Sequence, residues 1–343
     1  MPRTTIKDVA SEAAVSIATV SAVVNDADWV SAPTRDRVQA TIDRLGYRPN
    51  RVARTMRTRR GDAVGVIVSD LTNPYFAEVV RGLQHRLREH GRSLLLADTN
   101  QQFEEGGRQF DLLLDKQVDG FVFFGDSVPE SVLAAHVRRR SRVPIVTVGR
   151  DYGLRGVATV LANAETAAFD AVSHLAERGY RRIAHVTGPV AEFGATTHGA
   201  SPRLAGYRRA LAEAGLDAPD EYVVHGDWRA EGGAVAAVDL LSLPQRPDAV
   251  FCGNDLMAFG LMRAARVAGL DVPTDLAVVG FDDVPTAALV HPALTTCAMP
   301  KAALGHAAAD LLQQLLDGGS DIPDSPVFLD APLVVRASTP ARA

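Results

Sequence analysis

Cysteine is nearly absent from this chain, with only Cys252 and Cys297 in 343 residues. Two such distant thiols supply neither a disulfide framework nor a Cys-x-x-Cys zinc site, and they read as buried side chains. Lysine is almost as scarce, at positions 7, 116 and 301, and none of the three sits in a phosphate-binding P-loop. No G-x-G-x-x-G, G-x-S-x-G or H-E-x-x-H run occurs, and the nine histidines are scattered without metal spacing. Neither catalysis, a cofactor nor a metal centre is therefore expected. No stretch approaches the ~20 uninterrupted apolar residues of a membrane span. The opening MPRTTIKDVASEAA carries charge where a secretory signal places its apolar segment, so a cytoplasmic location is expected.

What is present is a globular composition, 47% hydrophobic, which excludes disorder. The length predicts two or three domains at roughly 100–200 residues each. Charge is unevenly placed. Residues 1–61 hold eleven basic and six acidic residues, a net of +5, so the remainder carries −10 of the total −5. A basic head on an acidic body implies a polyanion partner for the head alone.

Within the head, Ile6, Val9, Ala10 and Ala13 recur at helical spacing behind Thr4 and Thr5, either of which is placed to cap. After a break at Ala14-Val15, Ser16 is placed to cap a second run through Ile17, Thr19, Val20, Val23 and Val24. A third helix is expected from Ser31-Ala32-Pro33, burying Val38, Ile42 and Leu45 and ending at Gly46. Two short helices joined by a tight turn have the shape of a helix-turn-helix, although any three-helix bundle shares that pattern. The next segment holds Arg48, Arg51, Arg54, Arg57, Arg59 and Arg60. That is too much like charge for a stable isolated helix and suits folding against phosphates; a solvated basic linker is the alternative.

The runs TIKDVASEAAVSIATVSAVVND, VSAPTRDRV, LGYRPNRVAR and AVGVIVSDLTNPYF together resemble the lactose-repressor (LacI/GalR) family of bacterial transcription regulators. The likeness extends over essentially the full chain. It implies a homodimer on a near-palindromic double-stranded operator, with the helix from Ile17 to Asn25 in the major groove. Residues 50–57 would form a hinge helix in the minor groove, paired with its twin. Ile17, Ala18 and Ala22 would then face base edges. Thr5, Ser16, Thr19, Ser21, Asn25, Ser31 and Thr34 would bond phosphates. The hinge would contribute Asn50, Arg51, Ala53, Arg54, Met56 and Arg57, with Met56 where the family usually has a wedging Leu. Two departures stand out: Ala22 replaces the usual Arg, and Ala14 the usual Gly. A methyl group cannot make Arg's bidentate guanine contact, so the half-site is expected to lack that guanine preference.

From Ala63 onward, apolar runs alternate with amphipathic stretches. AVGVIVSD, SLLLAD, GFVFFG and PIVTVG read as buried parallel strands, as do RIAHVTG, EYVVHG, DAVFCG and LAVVGF. The intervening helices are expected near 75–90, 104–116, 130–141, 164–178, 203–214, 230–242 and 255–268. A last helix is expected near 300–317 and a last strand near 326–335. The expected fold is an all-α head on an α/β body of two doubly wound parallel-sheet lobes, the periplasmic-binding-protein-like type that the resemblance implies. The expected divisions are 1–47 (head), 48–61 (hinge) and 62–343 (body). The first lobe would comprise about 62–161 plus 292–323, the second about 162–291 plus 324–340.

Such lobes bind ligands beyond the carboxyl ends of their strands. Asn73, Tyr75 and Phe76 follow the first strand, Asp126 and Ser127 the third, and Trp228, Asn254 and Asp282 strands of the second lobe. Arg203 opens a helix where family members clamp an effector. Aromatic faces beside Asp, Asn and Arg suit a polyol ring, so a carbohydrate effector that switches operator affinity is expected. Tyr75 and Phe76 are also readable as helix core, and Trp228 as a packed loop anchor. Asp255 and Asp283 read as helix caps rather than ligands, and His198 as loop filler. Met299 stands where the family commonly has a contacting Gln, and Ala162 where it often has Asp, which makes the floor less polar. Two rival functions are an architectural DNA-binding protein without effector and a transport-type sugar-binding protein.

Overall fold

The computed structural model describes residues 4–47, 61–139, 143–189, 200–319, 323 and 325–342. The chain divides between Gly61 and Asp62 into two units.

The first unit holds three helices, α1 (Ile6–Glu12), α2 (Ile17–Val24) and α3 (Ala32–Leu45). Thr5 starts α1, its backbone N–H and hydroxyl donating to the Asp8 carboxylate at 2.7 and 2.8 Å. Ser16 starts α2 by accepting from the Thr19 N–H at 3.1 Å. Pro33 lies in the first turn of α3, and Gly46 ends it at φ +59°. The helices close on Val9, Ala10, Ala13, Val20, Val23, Val30 and Val38. Arg44 donates to Glu12 at 3.0 Å and ties α3 to α1. The turn between α1 and α2 takes Ala14 into the left-handed region at φ +50°.

The second unit is built on two six-stranded sheets. The first contains β1 (Ala63–Val68), β2 (Ser93–Asp98), β3 (Gly120–Phe124), β4 (Ile145–Val148), β5 (Ala158–Ala162) and β11 (Val327–Leu329), in the order β11-β5-β4-β3-β1-β2. The second contains β6 (Ile183–Thr187), β7 (Val223–His225), β8 (Ala249–Cys252), β9 (Ala277–Phe281), β10 (Thr295–Cys297) and β12 (Leu333–Val334), in the order β12-β10-β9-β8-β6-β7. Every pairing is parallel except β10 with β12. The helices are α4 (Pro74–Glu89), α5 (Glu105–Asp115), α6 (Glu130–Arg138), α7 (Ala164–Glu177), α8 (Ala200–Glu213), α9 (Ala230–Leu241), α10 (Asp255–Val267) and α11 (Lys301–Leu316).

Central strands β1, β3, β4, β6, β8 and β9 are buried along nearly their whole length, as their continuous apolar runs predict. β2 differs from the expectation of burial. It forms a sheet edge, and Leu95 and Leu96 are exposed. Strand β5 has no counterpart among the expected strands.

The lobe division also differs from the sequence reading. β10 belongs to the second sheet, although residues 292–323 were assigned to the first lobe. β11 belongs to the first sheet, although residues 324–340 were assigned to the second. The single strand expected near 326–335 is in fact two, one in each sheet. Helix α11 packs on α4 of the first lobe. The chain therefore crosses between lobes after β5, after β10 and after β11.

Candidate ligand cleft and nucleic-acid interface

On the first unit, Ile17 and Ala18 stand exposed in the first turn of α2. Ala22, one turn further on, is a correction: its methyl is 8% exposed and belongs to the apolar cluster of the head. The helix face that carries Val20 and Val23 inward takes Ala22 with it, so a base-edge contact by this side chain is not what the head presents. Thr5, Ser16, Asn25 and Ser31 are exposed, and Thr19, Ser21 and Thr34 are half-buried. Several of these groups serve the helix ends: Ser16 bonds the Thr19 hydroxyl at 2.9 Å, and Ser31 donates to Thr34 at 3.0 Å. Free N–H groups and small hydroxyls at helix starts are well suited to a phosphate, since few rotamers must be frozen to bind it. Asn50, Arg51, Ala53, Arg54, Met56 and Arg57 lie outside the described residues, as does His198.

In the second unit a cavity of about 800 Å³ opens between the two lobes beyond the carboxyl ends of their strands. Asn73, Tyr75, Phe76, Asp126, Arg203, Trp228, Asn254 and Asp282 all line it. The fold thus gathers side chains spread over more than 200 residues of sequence into one cleft. Ser127 is buried beside it but is not part of the lining.

The roles inside the cleft are unequal. The Arg203 guanidinium lies 4.1 Å from the Phe281 ring centre and 5.4 Å from that of Trp228. Burial lowers the basicity of Arg203, and the neighbouring Asp282 partly restores it. Burial likewise pushes the Asp282 carboxyl up to about 8, against the pull of Arg203 and with added repulsion from Asp255. Asp282 sits at φ +115°, a strained position for a residue with a side chain. Lys301 holds it there, its ammonium donating to the carbonyls of Asp282 and Asp283 at 2.7 Å each. Burial raises the Tyr75 hydroxyl far above its ordinary value and so keeps it a neutral donor.

Asn73 and Asn254 shape the site as much as line it. Asn73 caps α4 by accepting from the Tyr75 N–H at 3.0 Å. Asn254 caps α10, and its amide donates to the Trp228 carbonyl at 2.8 Å. That bond supports Trp228, which is itself at φ +66°. Asp255 and Asp283 are not caps. The Asp255 carboxylate accepts from Thr296 Oγ1 at 2.6 Å and the Val284 N–H at 2.8 Å, clamping the loop that bears Asp282. Asp283 pairs with Arg336 at 2.6 Å.

Sequence reasoning missed Asp70, Gln101 and Asp227, which also line the cavity. Asp70 directly follows the first strand in the run VSD, so the strand-end rule alone could have found it. Asp227 sits beside Trp228 in GDW, but its carboxylate is spent on the Arg229 and Gly232 N–H groups. Phe328 was hidden because it lies on a strand that returns from the far end of the chain. Among the described residues no helix is long and apolar enough to cross a membrane.

Comparison with known proteins bears on both units. Residues 5–50 match the model of bacterial regulatory proteins of the lacI family, and residues 172–339 that of a periplasmic binding protein-like domain. Catabolite control protein A of Priestia megaterium is 38% identical over 315 residues, which is 91% of this chain and 92% of that protein. The lac repressor dimer, solved bound to operator and the anti-inducer ONPF, is 30% identical with a TM-score of 0.86, covering 99% of this chain and all of the other. A transcriptional regulator CelR–cellobiose complex is 33% identical with a TM-score of 0.72, covering 98% of this chain and 100% of that one.

Proposed function

The chain belongs to the lacI family of bacterial regulatory proteins, and we propose that it is a homodimeric transcriptional repressor whose operator affinity is switched by a sugar-class effector held between its lobes. The observation that carries the effector half of this reading is the cleft. A half-buried arginine and a buried carboxyl, Arg203 and Asp282, line the cleft, with the Arg203 guanidinium 5.4 Å from the indole centre of Trp228. A sugar offers hydroxyls for the first two groups and a CH face for the third.

The operator half rests on α2. Ile17 and Ala18 face base edges, while the hydroxyl and amide groups at the helix ends hold phosphates and set register. A near-palindromic operator site is the expected DNA partner of two such heads. The repressor acts in the cytoplasm at the nucleoid.

Effector binding between lobes joined by three chain crossings favours one of their relative orientations. For typical coupling the effector must discriminate between the two states by about 1–3 kcal/mol. Operator selection with the full chain, followed by a saccharide screen at fixed salt, tests the proposal. One duplex family with two-fold symmetry is expected, together with at least one saccharide that changes affinity by 5-fold or more. An operator affinity indifferent to every saccharide refutes the effector half.

A further inference from the structure

Building on the effector reading above, we propose that Lys301 is a positioning residue that couples effector to operator: it joins the Asp282 loop of the second lobe to helix α4 of the first. Lys301 stands at a crossing between the lobes. Strand β10 ends in the second sheet at Cys297, and α11 begins at Lys301.

On the first-lobe side Lys301 rides on a rigid pair of helices. Helix α11 packs on α4 backbone to backbone. A methyl group at Gly82 would come within 2.7 Å of the Ala302 carbonyl oxygen, and one at Gly305 would collide with the Val79 carbonyl. The Lys301 ammonium lies 3.7 Å from the carboxylate of Glu78, on α4 itself. Glu78 is one turn beyond the start of that helix, where Tyr75 and Phe76 line the cavity.

On the second-lobe side the same ammonium donates to the carbonyls of Asp282 and Asp283. Other groups fix that loop to its own lobe: Asp255 accepts from the Val284 N–H and from Thr296, and Arg336 holds the Asp283 carboxylate. Asp282 is thus engaged at both ends, its side chain lining the cavity and its carbonyl bonded to Lys301. Its backbone, at φ +115°, has little freedom, so a ligand that shifts the side chain turns the carbonyl as well. The Lys301 side chain is only 10% exposed. An apolar residue would fill the crossing without the cost of burying an ammonium, and what the ammonium adds is a directed three-way grip. A change of lobe orientation must stretch or break that grip, so its free energy enters the difference between the two states.

The test separates binding from response on the full chain. The probe is the saccharide with the largest effect on parental operator affinity in the screen above. Calorimetry gives its Kd, and fluorescence anisotropy gives operator affinity without it and at saturation. Lys301→Met keeps the volume and removes the donors. It is expected to weaken the saccharide by no more than about 10-fold, while the operator response at saturation falls from about 5-fold or more to below about 2-fold. Glu78→Gln breaks only the first-lobe contact. It is expected to leave the saccharide Kd within about 2-fold and still cut the operator response to below about 3-fold. Lys301→Arg, which keeps the charge and the donors, is expected to retain more than half of the parental response. A Lys301→Met chain that binds saccharide weakly yet responds fully at saturation shows that Lys301 only shapes the pocket, and overturns the inference. So does a Glu78→Gln chain with the parental response, which carries the test alone should Lys301→Met fail to fold. A parent whose operator affinity no saccharide changes removes the effector reading, and the coupling role with it.

Discussion

Arg229 of the second lobe reaches across the cleft to the first, its Nε donating to Asp70 at 3.3 Å and its Nη2 to Asn100 at 2.9 Å. The carboxylate is buried, while the arginine side chain is 39% exposed, so water screens much of the attraction. Arg229→Ala should therefore cost only about 0.5–1 kcal/mol of closed-state stability. Small-angle scattering of the ligand-free variant should show a more open second unit, and calorimetry a 2- to 5-fold weaker effector. An unchanged scattering profile would contradict a latch role.

Asp282 gives the cleft a pH signature. Its folded value of about 8 lies above its ordinary 3.8 because burial disfavours the charge. The unfolded chain therefore loses this proton first. The stability associated with the neutral form is complete below about pH 4 and is lost progressively as pH rises to about 8. Asp282→Asn should flatten the fall in melting temperature over that window while abolishing tight effector binding. A smaller slope between about 4 and 7 should remain, because burial also raises Asp255, to about 7. A variant whose pH profile parallels the parent's would count against a neutral buried Asp282.

Ala14 occupies a backbone conformation that costs an L-residue roughly 1–2 kcal/mol, and its exposed methyl gains little in return. Ala14→Gly should therefore stabilise the head by about 1 kcal/mol, less the extra freedom that glycine gives the unfolded chain. Thermal unfolding followed in the first unit is the measurement, and a lower midpoint would show that the turn is unstrained.

For operator reading, Ile17 is the larger of the two exposed side chains at the start of α2, whereas Ala22 is turned inward. Ile17→Gln should shift preference at one base pair of each half-site by about 1–3 kcal/mol. Ser16→Ala should weaken all sequences by a similar factor, because it removes the cap on α2 and the phosphate partner proposed above. Selection on the parent chain should show no guanine requirement opposite position 22.

Much of this was legible in the sequence for a physical reason. Helices α4 to α11 follow from apolar spacing and boundary residues, and the cleft residues follow because strand ends in such sheets converge on one crevice. What escaped needed long-range information. The exposure of Leu95 depends on which strand lies outermost, and the placement of β10 and β11 depends on pairing partners far away in sequence. The inward setting of Ala22 follows from Val20 and Val23, which fix the inward face of α2 and which the resemblance alone does not weigh. The Arg150 partner of Asp126 and the Gln101 and Arg229 partners of Asp70 likewise lie on other loops, so these contacts became visible only in three dimensions.

β11 and β12 are separated by just Asp330, Ala331 and Pro332, yet they complete opposite sheets. Neither half of the body is thus self-sufficient as a gene segment. A stop codon before Val327 would strip an outer strand from both halves at once, and a cut at the apparent midpoint would strand β11 with the wrong fragment. Engineers who wish to graft a new specificity should exchange the whole body, or single side chains, but not one half.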